Sequence, residues 1–231
     1  MELIPAIRIV CTGVTNGFRT ALSQSVHDTL PLPTPTHLIG LLGAAAGISR
    51  RDIVGLYHRV KVGVIGTHVS TYEDLTRVIK FKGREQKSSL LIRENLFNTN
   101  FKLWYIPSNP DDLDFVFSAF INPKYALSLG RDDEMIRIDS VDKVHLKEES
   151  LGLLKNTVVP FSLNPSIDKI TEEKESMAPL VSIPLPRAFT VGEDLRRTPV
   201  EFSNYTFIEG YTIETTRNGC LSDGADHFFA L

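Results

Sequence analysis

The residues with the clearest chemical potential lie between positions 77 and 102, where cations and aromatic rings are interleaved. Against only two acids, Glu85 and Glu94, this segment holds seven cations: Arg77, Lys80, Lys82, Arg84, Lys87, Arg93 and Lys102. Aromatic side chains accompany them at Phe81, Phe97, Phe101, Trp104 and Tyr105. Cations can follow a phosphate backbone while rings stack on unpaired bases, so the pattern is typical of single-stranded nucleic-acid binding. An ordinary hairpin with a solvated basic face would show the same pattern.

The charge distribution along the chain points in the same direction. The net charge is −3, but residues 1–108 hold 13 Lys/Arg against 7 Asp/Glu, whereas residues 109–231 hold 12 against 21. A basic first half could meet an anion, and the acidic second half could be solvated or face a basic partner. Uneven surface decoration is the alternative explanation.

Other catalytic or metal-binding patterns are missing from the sequence. The six histidines form no H-x-x-x-H pair, and Cys11 and Cys220 form no C-x-x-C pair, so we expect two buried, reduced thiols, no metal site and no cofactor. No G-x-S-x-G or phosphate-binding G-x-x-x-x-G-K-[ST] motif occurs. His27 and His37 flank a proline-rich linker and could transfer a proton, although a lone histidine is weak support for catalysis.

The elements that must position these residues begin with a strand at 3–12, a linker at 13–34 and a helix. Thr34 is expected to cap the helix, with Pro35 at its first position. Its two faces differ in side-chain size. The face with large side chains holds Leu38, Leu41, Leu42 and Ala45. The opposite, bare face has almost no side chains and holds Gly40, Gly43, Ala44 and Gly47. Interior glycines destabilise a helix, so we expect the bare face to pack closely against the sheet.

The rest of the first half predicts more strands and a second helix. Strands are expected at 60–70, 76–82, 89–95 and 101–106, with Ile79 and Phe81 facing inward. Asn109 as cap, Pro110 at the first position and Asn122-Pro123 as a stop define the helix. "YALSL" and "MIRID" are expected to be strands around the "GRDDE" turn. This β-α-β-β-α-β order predicts an α+β, ferredoxin-like domain with an inserted hairpin, followed after about residue 150 by a smaller β-rich unit.

The start of the sequence bears on location. "MELIPAIRIVCT" carries Glu2, Pro5 and Arg8 inside its short apolar run, unlike a signal peptide or a membrane span. We therefore expect a cytoplasmic protein with no membrane partner.

Three segments resemble the CRISPR-associated protein five family of Cascade complexes, in the repeat-associated mysterious protein superfamily. They are "NGFRTALSQSVHDTLPLPTPTHLIGLLGAAAG", "LIRENLFNTNFKLWYI" and "FINPKYALSLGRDDEMIRI". A fourth segment, "PLPRAF", shows a weaker similarity. The resemblance spans most of residues 1–140 in order and spacing, and the second half matches loosely.

The resemblance implies a ferredoxin-like (RRM-like) domain at 1–148 with a thumb hairpin at about 76–100, followed by a β-rich region at 149–231. It implies a subunit that caps the 5′ handle of mature CRISPR RNA and contacts the large subunit and the first backbone subunit of Cascade. Family positions place Arg19 and Arg131 at the RNA phosphates, and Gly130 permits a turn whose N–H groups face an anion. A local salt bridge of Arg131 with Asp132 or Asp133 is the alternative.

The hairpin cations Lys80, Lys82, Arg84 and Lys87 are further candidates for RNA contact. If they are only a solvated face, the RNA path is expected around Arg19, Lys124 and Arg131 instead.

One branch of the family cleaves repeat RNA with a tyrosine, a lysine and an adjacent histidine. This sequence has no Lys-His dipeptide, and Val144 separates Lys143 from His145. The resemblance therefore favours a non-catalytic, handle-binding subunit, with no catalytic residue assigned. A metal-independent endoribonuclease is the second hypothesis, and a structural subunit whose basic segment binds a protein is the third.

Overall fold

The structure, a computed structural model, describes residues 3–20, 26–82, 85–172, 180 and 182–231 and is mixed α and β with strands predominating. The first half contains β1 (Ile4–Asn16), β2 (Phe18–Arg19), β3 (Val26–His27), β4 (Thr29–Leu30), α1 (Pro35–Ala46), a 3₁₀ turn (Asp52–Gly55), α2 (Leu56–Arg59), β5 (Val60–Thr67), β6 (Ser70–Lys82), β7 (Glu85–Pro107), a second 3₁₀ turn (Pro110–Asp112), α3 (Leu113–Ile121) and β8 (Ile136–Glu149). The second half contains β9 (Gly152–Val159), β10 (Asp168–Glu172), β11 (Ser182–Val191), β12 (Arg197–Thr215), β13 (Cys220–Ser222) and β14 (His227–Phe229). In the part of the chain described here, each helix is too short or too polar to span a membrane.

The centre of the fold is an antiparallel sheet in the order β8-β1-β7-β5. Ile9 of β1 lies opposite Leu103 of β7 on one side and Val141 of β8 on the other. One face of this sheet packs under α1 and α3 in a single large apolar core. The buried hydroxyl of Tyr105 donates to the Leu38 carbonyl at 2.9 Å, which fixes α1 over β7.

Helix α1 begins and ends as its sequence predicts. Thr34 is the N-cap residue, Pro35 is the first helical residue, and Gly47 ends the helix in the left-handed conformation at φ 70°. The leucine face packs into the core. The glycine face does not meet the sheet as expected, because a Cβ on Gly43 would lie 2.5 Å from Ile53 of the first 3₁₀ turn. A Cβ on Gly40 would meet nothing within 4 Å, so Gly40 faces open space.

The second helical segment starts with a 3₁₀ turn rather than directly with α3. Asn109 caps that turn, accepting from the Asp111 N–H at 3.1 Å, and Pro110 is its first residue. Helix α3 then buries Val116, Ala119 and Phe120. Asn109 as cap and Pro110 as first residue are therefore confirmed for the helical segment formed by the 3₁₀ turn and α3 together.

Strand boundaries differ from the sequence prediction in three places. The segments 89–95 and 101–106 form one strand, β7, which passes through Asn98 at φ 50°. "YALSL" is no strand, and only an isolated bridge joins Ser128 to Met135. The expected linker at 13–34 contains the end of β1 and the short strands β2, β3 and β4, which pair as Phe18 with Leu30 and Val26 with Ile92.

The outer part of β7 pairs with β6 in a long two-stranded hairpin, from Ser70 opposite Phe97 to Lys82 opposite Glu85. Ile79 and Phe81 were expected to face inward, and this prediction is wrong: their exposures are 46% and 73%. Strand alternation does separate them from their neighbours, but within the part of the chain that the structure describes no other layer covers their face of the hairpin. The uncovered apolar stripe also includes exposed side chains at Leu75, Leu90 and Ile92.

The second half of the chain covers the other face of the central sheet. Strand β13 pairs with β8, β14 pairs with β13, and Ile65 of β5 bridges to Thr157 of β9. Phe228 stacks on Trp104 with ring centroids 4.2 Å apart. Gly63 makes this contact possible, since a Cβ there would lie 2.4 Å from the Phe228 ring.

Candidate nucleic-acid interface

Three arginines gather around the segment that follows β1. Arg19 lies in β2, Arg93 pairs in register with His27 of β3, and Arg131 lies in the turn before β8. The pKa of His27 is lowered, first by burial and then by the charges of these three arginines. The neutral form of His27 is therefore favoured, and we call the three arginines, Arg19, Arg93 and Arg131, the cationic cluster. Asp28 opposes part of this effect on His27, but the three arginine charges outweigh it, and such an excess of positive charge favours an anionic ligand.

Arg19 and Arg131, which the resemblance implies lie at RNA phosphates, both act electrostatically on His27. Arg19 is exposed. Arg93 belongs to the basic segment but was not assigned to the site, because the sequence does not show that β3 folds back beside β7. The Nε of Arg93 is a buried donor without a hydrogen-bond partner among the described residues.

The turn that carries Gly130 and Arg131 is closed on itself. The Leu129 N–H donates to the Glu134 carbonyl at 3.0 Å, and the Glu134 N–H donates to the Arg131 carbonyl at 3.1 Å. Gly130 has φ 117°, a backbone conformation that residues other than glycine rarely adopt. The predicted glycine turn is therefore present.

Glu134 holds this turn against the end of β1. Its buried carboxylate accepts from the Gly17 N–H at 2.9 Å and from the Arg131 N–H at 2.7 Å. Burial raises the pKa of Glu134, against the lowering effect of those two N–H groups and the Arg131 charge. Sequence reasoning missed Glu134, because it is one of three consecutive acids, Asp132 to Glu134, and nothing in the pattern marks the buried one.

Arg131 is partly engaged within its own turn. Its Nε lies 3.3 Å from Asp133 Oδ1, and its Nη2 lies 3.1 Å from Glu134 Oε1. The local salt bridge considered as an alternative is therefore present with Asp133. The Arg131 side chain remains one-third exposed, so an anion can contact it. Its positive charge is then shared between that anion and the two acids, Asp133 and Glu134.

A cleft of about 580 Å³ lies beside the cationic cluster, between α1 and the β11–β12 hairpin. Arg19, Gly40, Gly130 and Arg197 are among its lining residues. The bare face of α1 at Gly40 therefore forms part of the cleft wall, where helix backbone is accessible to a ligand.

His37 also borders this cleft but is a structural residue. Its Nδ1 lies 2.7 Å from the Thr34 hydroxyl, and its ring packs edge-on against Phe18 at 5.4 Å. Burial, and secondarily the Arg197 charge, lowers the pKa of His37 to about 4. The ring is therefore neutral near pH 7, fixed at the start of α1.

The hairpin cations lie beyond the cluster. Lys87 is exposed, and the register pairs Lys80 with Lys87 and Lys82 with Glu85. Arg84 lies outside the described residues. Arg77 lies opposite Leu90 in this register, so it shares the face of the apolar stripe, and its Nε donates to the Ser88 hydroxyl at 2.8 Å.

Lys124 is not brought to the cationic cluster. Its N–H donates to the Ala45 carbonyl at 2.9 Å, and its stem packs over Gly47 at the C-terminal end of α1. Twelve helical residues span about 18 Å, so Lys124 is separated from the N-terminal end of α1 by the length of the helix.

The residues considered for catalysis show no nucleophile-activating contact. Lys143 Nζ lies 2.5 Å from Asp114 Oδ1 and 5.1 Å from the Phe117 ring centre. His145 is exposed on the same strand and pairs in register with Pro5.

The cysteines are buried, as predicted. Burial raises the pKa of Cys11 to about 12 and that of Cys220 to about 11, so both thiols stay protonated near pH 7. Among the described residues, no three His, Cys, Asp or Glu side chains are grouped to hold a metal ion.

Comparison with known proteins relates this fold to CRISPR-associated proteins. No protein-family model matches the chain, and no curated protein matches it. Among solved structures, a chain of a "CRISPR RNA-guided surveillance complex" aligns with a TM-score of 0.56 at 15% identity, covering 92% of this chain and 91% of that one. A CRISPR protein from Archaeoglobus fulgidus aligns with a TM-score of 0.55 at 10% identity, covering 97% and 98%. The chain therefore shares the fold of CRISPR-associated proteins.

Proposed function

We propose that the chain is a cytoplasmic, non-catalytic subunit of a type I CRISPR effector complex, of the CRISPR-associated protein five kind, that binds the 5′ handle of mature CRISPR RNA. The observation that carries the proposal is the cationic cluster at the foot of a basic hairpin, on a fold shared with CRISPR-associated proteins. Arginines and lysines that contact phosphates supply the sequence-independent part of RNA affinity.

The strand order supports assigning a ferredoxin-like domain. In that fold the four strands of the β-α-β-β-α-β unit lie in the order 4-1-3-2, and here they are β8, β1, β7 and β5. We assign this domain to residues 1–148, with the β6–β7 hairpin as its thumb, and the smaller β-rich region to residues 149–231.

A protein-binding role has its own supporting observation, the apolar stripe of Leu75, Ile79, Phe81, Leu90 and Ile92 on the hairpin. Exposed apolar patches are typical of interaction sites. Contact with the backbone and large subunits of Cascade is therefore part of the proposal, and a purely structural subunit is the second candidate. The endoribonuclease is less well supported, because Lys143 is held by Asp114.

The test of RNA binding is a salt series with a variant in which Lys80, Lys82, Arg84 and Lys87 are all alanine. Each phosphate contact contributes about −0.7 to the log–log salt slope for a single strand, so the variant should bind CRISPR RNA more weakly and with a shallower slope. Its melting temperature should barely change, because Lys80, Lys82 and Lys87 lie on the two-stranded hairpin and Lys87 is exposed. Affinity is measured with assembled complex components at several salt concentrations.

A charge-matched control replaces four exposed cations outside the hairpin, Arg50, Lys61, Lys147 and Lys169, with alanine. This control has the same net charge as the hairpin variant, and its salt slope should match the wild type. An unchanged slope in the hairpin variant, with folding intact, would show that the hairpin cations are only a solvated face. RNA affinity insensitive to the handle sequence would favour the structural subunit.

A further inference from the structure

A second cavity has a volume of about 440 Å³. It lies between the segment after β1, the end of the β6–β7 hairpin near Thr71 and Glu94, and the second half of the chain. This volume is within the range of about 300–1,000 Å³ that is typical of small-molecule pockets. Most of its wall is apolar, from Leu30, Pro31, Leu96, Leu180, Ile183 and Phe207. Such walls suit a flat ring rather than a phosphate.

The charged groups at this cavity are hydrogen-bond acceptors. Glu94 is fixed by the Thr29 N–H, which donates to its Oε2 at 3.1 Å. Glu209 Oε1 lies 3.3 Å from Nδ1 of His68, a ring that is only 13% exposed. Because an ionised carboxylate has about four acceptor positions, Glu94 can still accept from a ligand. A ligand that fits therefore combines an apolar ring face with N–H donors on its edge.

The cavity adjoins the candidate RNA interface. Thr20 lines both this cavity and the cleft beside the cationic cluster. Glu94 directly follows Arg93, and alternation along β7 directs the two side chains to opposite faces of the strand. An RNA backbone at the cluster could therefore insert one base here.

We propose that this cavity takes one unpaired guanine of the bound RNA, read by Glu94. The inference rests on the proposed RNA-binding function. Guanine carries two adjacent donors, N1–H and N2–H, which match the two oxygens of one carboxylate, whereas uracil, adenine and cytosine do not present that pair. The apolar wall, including Phe207, covers the base.

The test measures binding of the full chain to 12-nucleotide oligouridine and to the same oligomer with a single guanine at each position in turn. One guanine position should strengthen binding about tenfold, as a bidentate base contact does, and inosine, which lacks the N2 amino group, should lose part of the gain. In Glu94→Gln the ratio of guanine-containing to all-uridine affinity should fall toward one. The glutamine can still accept from the Thr29 N–H, so the local fold is expected to persist, which a melting curve checks.

Glu73→Gln is the matched control, because Glu73 lies directly opposite Glu94 in the hairpin register but does not line the cavity. It should keep the guanine preference. Binding without any base preference would overturn the guanine site and leave RNA binding intact, whereas failure of every oligomer to bind would remove both. A preference for the guanine-containing oligomer that is unchanged in Glu94→Gln would also overturn the proposal.

Discussion

Asp168→Ala is expected to destabilise the chain by about 3 kcal/mol, because it breaks a buried ion pair and leaves a guanidinium without its main partner. The Asp168 side chain is fully buried, and Arg217 donates to both of its carboxylate oxygens, at 3.0 Å from Nε to each and 2.7 Å from Nη2 to Oδ2. Thr215 and the Asn164 N–H also donate to it. For a chain of this size the melting temperature should fall by about 6–12 °C, measured by circular dichroism.

Asp194→Ala is the control, since Asp194 pairs with Arg196 on the surface with both side chains mostly exposed. Exposed pairs contribute little, so the melting temperature should hardly change. An equal effect of the two substitutions would show that the Asp168 contacts do not stabilise the second half of the chain.

The effect of Asp168→Ala should depend on pH. Burial alone would raise the pKa of Asp168, but the donors from Arg217, Thr215 and Asn164 outweigh it and hold the pKa below its ordinary value. A lowered native pKa stabilises the fold above the unfolded value of about 3.9, and this contribution is lost as the pH falls through the native pKa. The stabilities of wild type and variant should therefore converge in acid below about pH 4.

Gly130→Ala should disrupt the turn that carries Arg131 and weaken RNA binding together with stability. A Cβ at position 130 would lie 1.9 Å from Glu134 Oε2 and 2.8 Å from the Gly17 carbonyl oxygen. The carboxylate would have to leave the Gly17 and Arg131 N–H groups, and the φ of 117° adds strain. We expect a loss of about 3 kcal/mol in the free energy of unfolding, measured by urea denaturation.

Gly224→Ala separates the two causes of that loss. Gly224 also has a positive φ, 92°, but a Cβ there would meet nothing within 4 Å. This control should show only the conformational strain, roughly 1 kcal/mol, and normal RNA affinity. If Gly130→Ala is no more damaging than Gly224→Ala, Glu134 does not stabilise the turn at Gly130 against the end of β1.

Local signals in the sequence predicted the parts of the fold that depend on local chemistry. Thr34-Pro35 and Asn109-Pro110 start helical segments, and the glycine turn at 130 is present, because caps and turns are determined within a few residues. Strand alternation placed Ile79 and Phe81 together, but alternation does not reveal whether another layer covers their face. The sequence predicts a break at 96–100 between two strands, but Asn98 takes a positive φ within a strand that continues.

The candidate site was only partly predictable for a similar reason. Arg19 and Arg131 were found through resemblance, but the approach of Arg93 and the burial of Glu134 depend on contacts between residues distant in sequence. Glu134 and Gly17, for example, are 117 positions apart. Lys124 shares the "FINPKYALSLGRDD" segment with Arg131, yet it packs at the C-terminal end of α1.

The most direct test of the central claim is to purify the chain with its complex from its host and to sequence any RNA that is bound. We expect small RNAs that share a common 5′ end, and their recovery should drop when Arg19, Arg93 and Arg131 are replaced by alanine in a chain that still folds. Recovery of the complex without any small RNA of common 5′ end would contradict the assignment of the cationic cluster and the hairpin to CRISPR RNA.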